Sequence, residues 1–196
     1  MQEKIGNTFF TKDVKQAIDV LRKGGVILYP TDTVWGIGCD ATNADAVRRV
    51  YEIKQRDERK AMICLVDSDA RLQRYVRGVP EVAWDIIEYA ERPTTLVLDK
   101  PVGLAENLIA DDQTIAVRVT RDLFSRELCY RFQKPIVSTS ANISGKPTPA
   151  RFVEIQQEII DAVDYVCTSR REEKKKHTPS SIIRLTESGE VKIIRQ

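Results

Sequence analysis

Pro135-Ile136-Val137-Ser138-Thr139-Ser140-Ala141-Asn142-Ile143-Ser144-Gly145 is a short apolar run that passes directly into hydroxyl and amide side chains and ends on glycine. The apolar half reads as a strand. The polar half reads as a loop at its end, with many small hydrogen-bond partners and little bulk to keep a ligand's oxygens away. Phosphate and nucleotide sites are often built this way, although Ser and Asn in a turn also serve simply to bond their own backbone. Two further stretches favour the ligand-binding reading: a second apolar strand running into a polar loop, Tyr29-Pro30-Thr31-Asp32-Thr33-Val34-Trp35-Gly36-Ile37-Gly38, and a basic helix end, Lys54-Gln55-Arg56.

Outward from this stretch, helical and strand patterns alternate. Val14, Ala17, Ile18 and Leu21 mark one face of a helix that starts near Thr11 and stops at Gly24-Gly25, before the strand Val26-Ile27-Leu28-Tyr29. A helix from about Asn43 turns Ala46, Val47, Val50 and Ile53 inward and delivers Lys54 and Arg56 at its C-terminal end. Met62 to Val66 suits a strand buried on both faces. Helices are expected around Ala70 to Val76, Glu81 to Ala90, Asp122 to Phe132 and Phe152 to Ile160. Strands are expected at Thr95 to Leu98, Thr114 to Val119, Ile136 to Thr139, Tyr165 to Cys167, Ser181 to Leu185 and Val191 to Ile194. The fold class is therefore α/β, a twisted mixed sheet with flanking helices, and with no Pro/Gly/Ser-rich linker residues 1–196 read as one domain.

Composition narrows the function classes. The chain has 196 residues, and its 31 basic and 29 acidic side chains leave a net charge of +2, too little for a general nucleic-acid coat. The four cysteines form no Cys-x-x-Cys pair, and with a single histidine they make no zinc site, so buried free thiols are expected. No apolar signal core or membrane-length apolar run is present, and the reading is a cytoplasmic protein with no membrane contact. Gly36-Ile37-Gly38-Cys39-Asp40-Ala41 fits the Gly-x-Gly-x-x-Gly/Ala dinucleotide pattern, but Thr31 to Trp35 intervene between the strand and the first glycine. Gly145-Lys146-Pro147-Thr148 lacks the upstream glycine of a P-loop, and Pro147 opposes the helix that should begin there. His177, the only histidine, lies in the charged run Arg170 to His177, which leaves a serine hydrolase without a base.

What remains is a site of cations and hydroxyls. Lys54, Arg56, Arg59 and Lys60 crowd one loop, and Arg195 ends the last strand. Arg118 shares a face with Thr114 and Ala116 on the strand period, so it is either an edge residue or one held for an anion. Such a set suits phosphoryl or adenylyl transfer, in which positioning and charge neutralisation supply most of the catalysis.

These residues resemble the YrdC-like family of L-threonylcarbamoyladenylate synthases. The marks are Tyr29 to Thr33 with Gly36-Ile37-Gly38, Lys54-x-Arg56 with Lys60, Thr114 to Arg118, Ser140-Ala141-Asn142-x-Ser144-Gly145, and Pro179-Ser180-Ser181-Ile182-Ile183. The resemblance implies a concave basic substrate cleft in a short, single-domain form. It also implies a reaction joining L-threonine, bicarbonate or CO2, and ATP into threonylcarbamoyl-AMP and pyrophosphate, for the t6A modification of tRNA. Lys54 and Arg56 would be catalytic, facing the triphosphate with Lys60, and are expected to matter little for stability at a helix end. Thr114, Ser138, Ser140, Asn142, Thr148 and Arg195 would hold ATP, and Thr33, Arg118 and Ser180 the threonine. Mg2+ would ride mainly on ATP, with no metal site on the protein. Contacts with tRNA and with a downstream t6A transferase complex are further implications.

The chain departs from the family pattern at Glu91-Arg92-Pro93, where many members carry Pro-Gly-Pro, at Asp57, where proline is usual, and at Leu65, where some members place a histidine that contacts threonine. It keeps both Lys-x-Arg and Ser-Ala-Asn, which a sister branch of uncertain activity loses. Residues 169–179, without apolar periodicity, are expected to form a loosely held lid or an ordinary charged loop. Two rivals stand beside the synthase: a module binding double-stranded RNA or tRNA through the basic cleft and Lys174-Lys175-Lys176, without ATP turnover, and a dinucleotide enzyme using Gly36 to Ala41.

Overall fold

The computed structural model describes residues 2–57, 62–174 and 177–196, with side chains from Phe10 onward. Helix α1 (Gln2–Arg22) leads into β1 (Ile27–Tyr29) and β2 (Gly36–Gly38). Next come α2 (Ala44–Lys54), β3 (Ile63–Val66), α3 (Asp69–Tyr75), α4 (Val82–Tyr89), β4 (Thr94–Asp99) and β5 (Thr114–Val119). The chain continues through α5 (Leu123–Phe132), β6 (Ile136–Ser140), α6 (Gln157–Ala162), β7 (Tyr165–Val166), β8 (Ser181–Leu185) and β9 (Val191–Arg195). The nine strands found among the described residues form a single sheet in the order β7-β1-β2-β6-β3-β5-β4-β8-β9. It is mixed, as expected: β1/β7, β3/β5 and β4/β8 are parallel and the other pairs antiparallel.

The apolar stripe of α1, Val14, Ala17, Ile18 and Leu21, is buried as its spacing requires. The helix continues upstream of Thr11 to Gln2, and Phe10 gives that extra turn an edge-on contact with Phe124 of α5 at 5.2 Å. In α2, Asn43 accepts from the amides of Asp45 and Ala46, and Gln55 ends the helix in the left-handed conformation, φ 49. The helix expected from Phe152 to Ile160 is divided. A 3-10 turn covers Phe152–Glu154, and Ile155 and Gln156 are extended before α6, which lets Ile155 turn into the core. The four cysteines are buried and free, as composition predicted.

Gly36-Ile37-Gly38 is the main surprise, because it is a central strand between β1 and β6 and not a loop. A Cβ on Gly38 would lie 2.5 Å from the Val137 carbonyl oxygen and 2.6 Å from Cε1 of Tyr29. The glycine exists to let the Tyr29 ring, whose hydroxyl donates to that carbonyl at 3.2 Å, lie across the strand. Here the glycines serve close packing within a sheet, which removes the basis for a dinucleotide fingerprint. Gly38→Ala should therefore destabilise the fold by about 2–3 kcal/mol through overpacking, read as a lower urea midpoint at unchanged m-value.

Candidate functional site

Three polar segments converge on one face of the sheet. The loop after β1 brings Thr33 to Gly36, the end of β6 brings Ser138 to Ser140, and β8 with β9 bring Ser180 and Arg195. Together with Arg56, Thr148 and Arg118 they line a cavity of about 350 Å³. Its floor is apolar, with Ile63, Val97, Ala116, Ile182 and Ile194 among the lining side chains. Three arginines and no carboxylate line it among the described residues, so a ligand meets a floor suited to a flat apolar group and a rim suited to oxyanions.

Arg118 is 3% exposed and sits on β5, inside the sheet between β3 and β4, which settles the sequence alternative against an edge residue. Asp32 approaches its guanidinium at 2.9 Å, and the guanidinium donates to Thr33 Oγ1 at 3.3 Å. The Asp32 contact is a close charge pair and not an aligned hydrogen bond, since Asp32 Oδ1 and Arg118 Nε are both buried without a hydrogen-bond partner. A buried guanidinium nitrogen left this way is prepared for an incoming acceptor such as a carboxylate. Arg195 donates to the Ser180 carbonyl at 2.9 Å, and Ser180 Oγ bonds Thr95 Oγ1 at 2.8 Å. Burial and then the charge of Arg118 hold the Arg195 pKa below its ordinary value, and burial does the same to Arg56. Clustered cations depressed in this way gain from a bound anion.

Lys54 stands behind the cavity wall. It is 1% exposed and does not line the cavity. Its ammonium donates to the carbonyls of Ser140 and, at 2.8 Å, Asn142, while its own carbonyl accepts from the Ser144 amide at 2.8 Å. One lysine thus fastens the Ser-Ala-Asn loop to the end of α2. The Asn142 amide in turn donates to the carbonyls of Ile143 and Lys146, at 3.0 and 2.8 Å, and shapes the turn rather than the cavity wall. Thr114 lies away from the cavity, its hydroxyl donating to Asp112 at 2.7 Å. The structure brings together Thr33, Arg56, Arg118, Ser138, Ser140, Thr148, Ser180 and Arg195; it does not bring Lys54, Asn142 or Thr114 to the cavity, and Arg59 and Lys60 lie outside the described residues. Leu65 is fully buried, in register with Arg118. Sequence reasoning missed Thr31, whose hydroxyl organises the Thr33 loop, and the apolar floor, whose residues look like ordinary strand interior.

A family model described as "Telomere recombination", covering Sua5, YciO and YrdC, matches residues 19–196. The chain belongs to the Sua5/YciO/YrdC family. Among curated members, it is 37% identical over 155 residues to the threonylcarbamoyl-AMP synthase of Pseudoalteromonas translucida, covering 78% of this chain and 83% of that protein. It is 32% identical over 188 residues to the Vibrio cholerae threonylcarbamoyl-AMP synthase, covering 94% and 97%. Among solved family structures, E. coli YciO superposes with a TM-score of 0.80 at 25% identity, covering 93% of this chain and 88% of that one. P. abyssi Sua5 complexed with L-threonine gives 0.77 at 27%, covering 88% of this chain but only 50% of Sua5, so the chain spans about half the length of that relative.

The lysine clamp corrects the expectation that Lys54 matters little for stability. Lys54→Met strips the buried Asn142 carbonyl of its donor and leaves the Ser140 carbonyl with the Asn142 amide alone, and should cost about 1–3 kcal/mol in urea unfolding. Burial, and then Arg56, push the ammonium pKa down from 10.5 to about 8. Between those values the unfolded chain holds more protons than the folded one, so this group's contribution to stability rises with pH. The deficit of Lys54→Met relative to the unaltered protein should accordingly be larger near about pH 9.5 than near about pH 7, and an equal deficit at both would contradict the shift.

Proposed function

We propose that the protein is an L-threonylcarbamoyladenylate synthase. The observation that carries this reading is the carboxylate-free cavity with three arginines over an apolar floor, in a chain whose curated relatives bear that activity in their names over most of their length. Arg118 takes the threonine carboxylate, supported by its unpartnered buried Nε, with Thr33 and Ser180 beside it. The threonine amine adds to CO2, or to bicarbonate with loss of water, and gives up a proton to form a carbamate. A carbamate oxygen attacks the α-phosphorus of ATP, the bond from that phosphorus to the bridging oxygen breaks, and pyrophosphate leaves. Arg56 and Arg195 meet the phosphates, with Ser138, Ser140 and Thr148 as neutral donors. Lys54 acts through its charge and through the loop it fastens. Magnesium would be held by the ATP phosphates and water and would offset phosphate charge, since the described lining offers cations and hydroxyls and no carboxylate ligand. The product is a reactive mixed anhydride, so transfer to a t6A-forming enzyme and its tRNA is the natural next step.

The RNA-binding alternative is not favoured. The lining arginines sit in a concavity of about 350 Å³, a size for one small ligand and not for a duplex, and Lys175 and Lys176 lie outside the described residues.

Incubation with ATP, bicarbonate and an amino acid tests the reading: pyrophosphate release should require threonine and fall off with serine and more steeply with valine, which lacks the hydroxyl. ATP turnover indifferent to the amino acid would refute it. Arg118→Lys keeps the charge but loses the planar fork, and should raise the threonine KM by about tenfold or more while changing the ATP KM little.

A further inference from the structure

The loop that carries Thr33 is held from outside the cavity. Thr31 is buried, and its hydroxyl donates to the Val34 carbonyl at 2.8 Å, lies 3.0 Å from Thr33 Oγ1 and accepts the Thr33 amide at 3.0 Å. These bonds fix where Thr33 and Asp32 point, and both of those residues meet Arg118. The Thr31 carbonyl faces away from this network and accepts from Arg170 at 3.1 Å. Arg170 also pairs with Asp122, the residue that caps α5, at 2.7 Å and with Glu173 at 2.8 Å. Its backbone is left-handed, φ 64, a conformation that an arginine rarely adopts and that turns its side chain back toward the loop.

The segment that presents Arg170 is itself anchored. Asp13 of α1, buried to 1% exposure, accepts from Tyr165 at 2.6 Å and from the amides of Thr168 and Ser169 at 3.0 and 2.7 Å. Arg171 donates to the Cys167 and Val166 carbonyls and lies 4.9 Å over Phe152, whose ring is 4.8 Å from the cavity residue Trp35. Over residues 169–174, then, the chain is a strap bonded to α1, α5 and the Thr31 loop, part of the 169–179 segment for which the sequence left a loosely held lid and an ordinary charged loop as alternatives.

From this geometry we infer that Arg170 is a positioning residue for amino-acid recognition. It touches neither the cavity nor a ligand, and sets the Thr31 to Thr33 loop, hence Arg118, in the pose that receives a substrate carboxylate. The inference deepens the proposed threonine site and rests on that reading. A small angular error in a two-point carboxylate contact is enough to lose affinity, because bidentate geometry is strict.

Arg170→Met tests it by two separate readouts. In the ligand-free protein, hydrogen exchange at the Thr33 amide should speed up by about tenfold as the Thr31 bond loosens. In steady state the threonine KM should rise by about tenfold while the ATP KM and kcat stay within about twofold. Glu173→Gln, which spares the Thr31 and Asp122 contacts, should change both readouts less. Unaltered exchange and an unaltered threonine KM in Arg170→Met would overturn the inference, and so would equal rises in both KM values, the mark of general loosening. If Arg170→Met does not fold, Arg170→Lys carries the test: an ammonium holds its three donors on one nitrogen and cannot span acceptors that the guanidinium meets from Nε and Nη1, so the threonine KM should rise alone, and no rise overturns the inference. Absence of threonine-dependent turnover in the unaltered protein would defeat the proposed function instead, while the exchange measurement still decides whether Arg170 sets the loop.

Discussion

One buried ammonium links the two ends of this site. Lys54 terminates α2 and reaches the carbonyls of Ser140 and Asn142, just where β6 becomes a loop. The Ser140 carbonyl also accepts the Asn142 amide, but the buried Asn142 carbonyl depends on the ammonium, and a buried acceptor left without its donor costs more than a typical net hydrogen bond contributes, so a charged donor that serves both carbonyls is a strong constraint on the path of the loop. The bond to the Ser140 carbonyl holds Ser140 where it lines the cavity, and after the left-handed Gln55 the chain brings Arg56 to the same cavity. The Lys-x-Arg pattern thus divides its labour, one cation building the wall and the next one facing into it.

The sheet explains why the wall can be built from such distant segments. Strand β6 pairs with β2 on one side and β3 on the other, and β3 pairs with β5, so Ser138, Ile63 and Ala116 stand in one row across three strands. Their side chains share a face by the strand period, and Arg118 lies two residues beyond Ala116 on that face. Glycines in β2 leave room beside this row for the Tyr29 ring, whose Cε1 a Cβ on Gly36 or Gly38 would meet at 3.3 or 2.6 Å. A functional surface of small residues is therefore also a packing requirement of the sheet centre.

Much of this was legible in the sequence. Alternating apolar periods gave the α/β class and nearly every strand, and the hydroxyl-rich ends of β1 and β6 pointed to the cavity. Two failures have physical causes. Gly36-Ile37-Gly38 has the composition of a loop, and only the Tyr29 ring that overlies it explains why glycine is needed in a strand. Lys54 was read by its charge, yet it stands four residues after Val50 and seven after Val47, on the buried stripe of α2, and that spacing was the available signal. Arg170 carried no such signal: its contacts to Thr31 and Asp122 span 139 and 48 residues of sequence, a separation no local pattern encodes.

The electrostatics of the cavity follow from the same placement. Arg118 has Asp32 as a close counter-charge, but Arg195 leans on neutral Ser180 and is disfavoured by burial and by Arg118. Both guanidinium groups are tied to the frame, Arg118 through Thr33 and Arg195 through the Ser180 carbonyl. An anion bound beside both would offset the like charge that lowers the Arg195 pKa after burial does. Such a site discriminates by charge before shape: a carboxylate and a polyphosphate are both drawn in, and the apolar floor and the fixed hydroxyls then decide which group settles where.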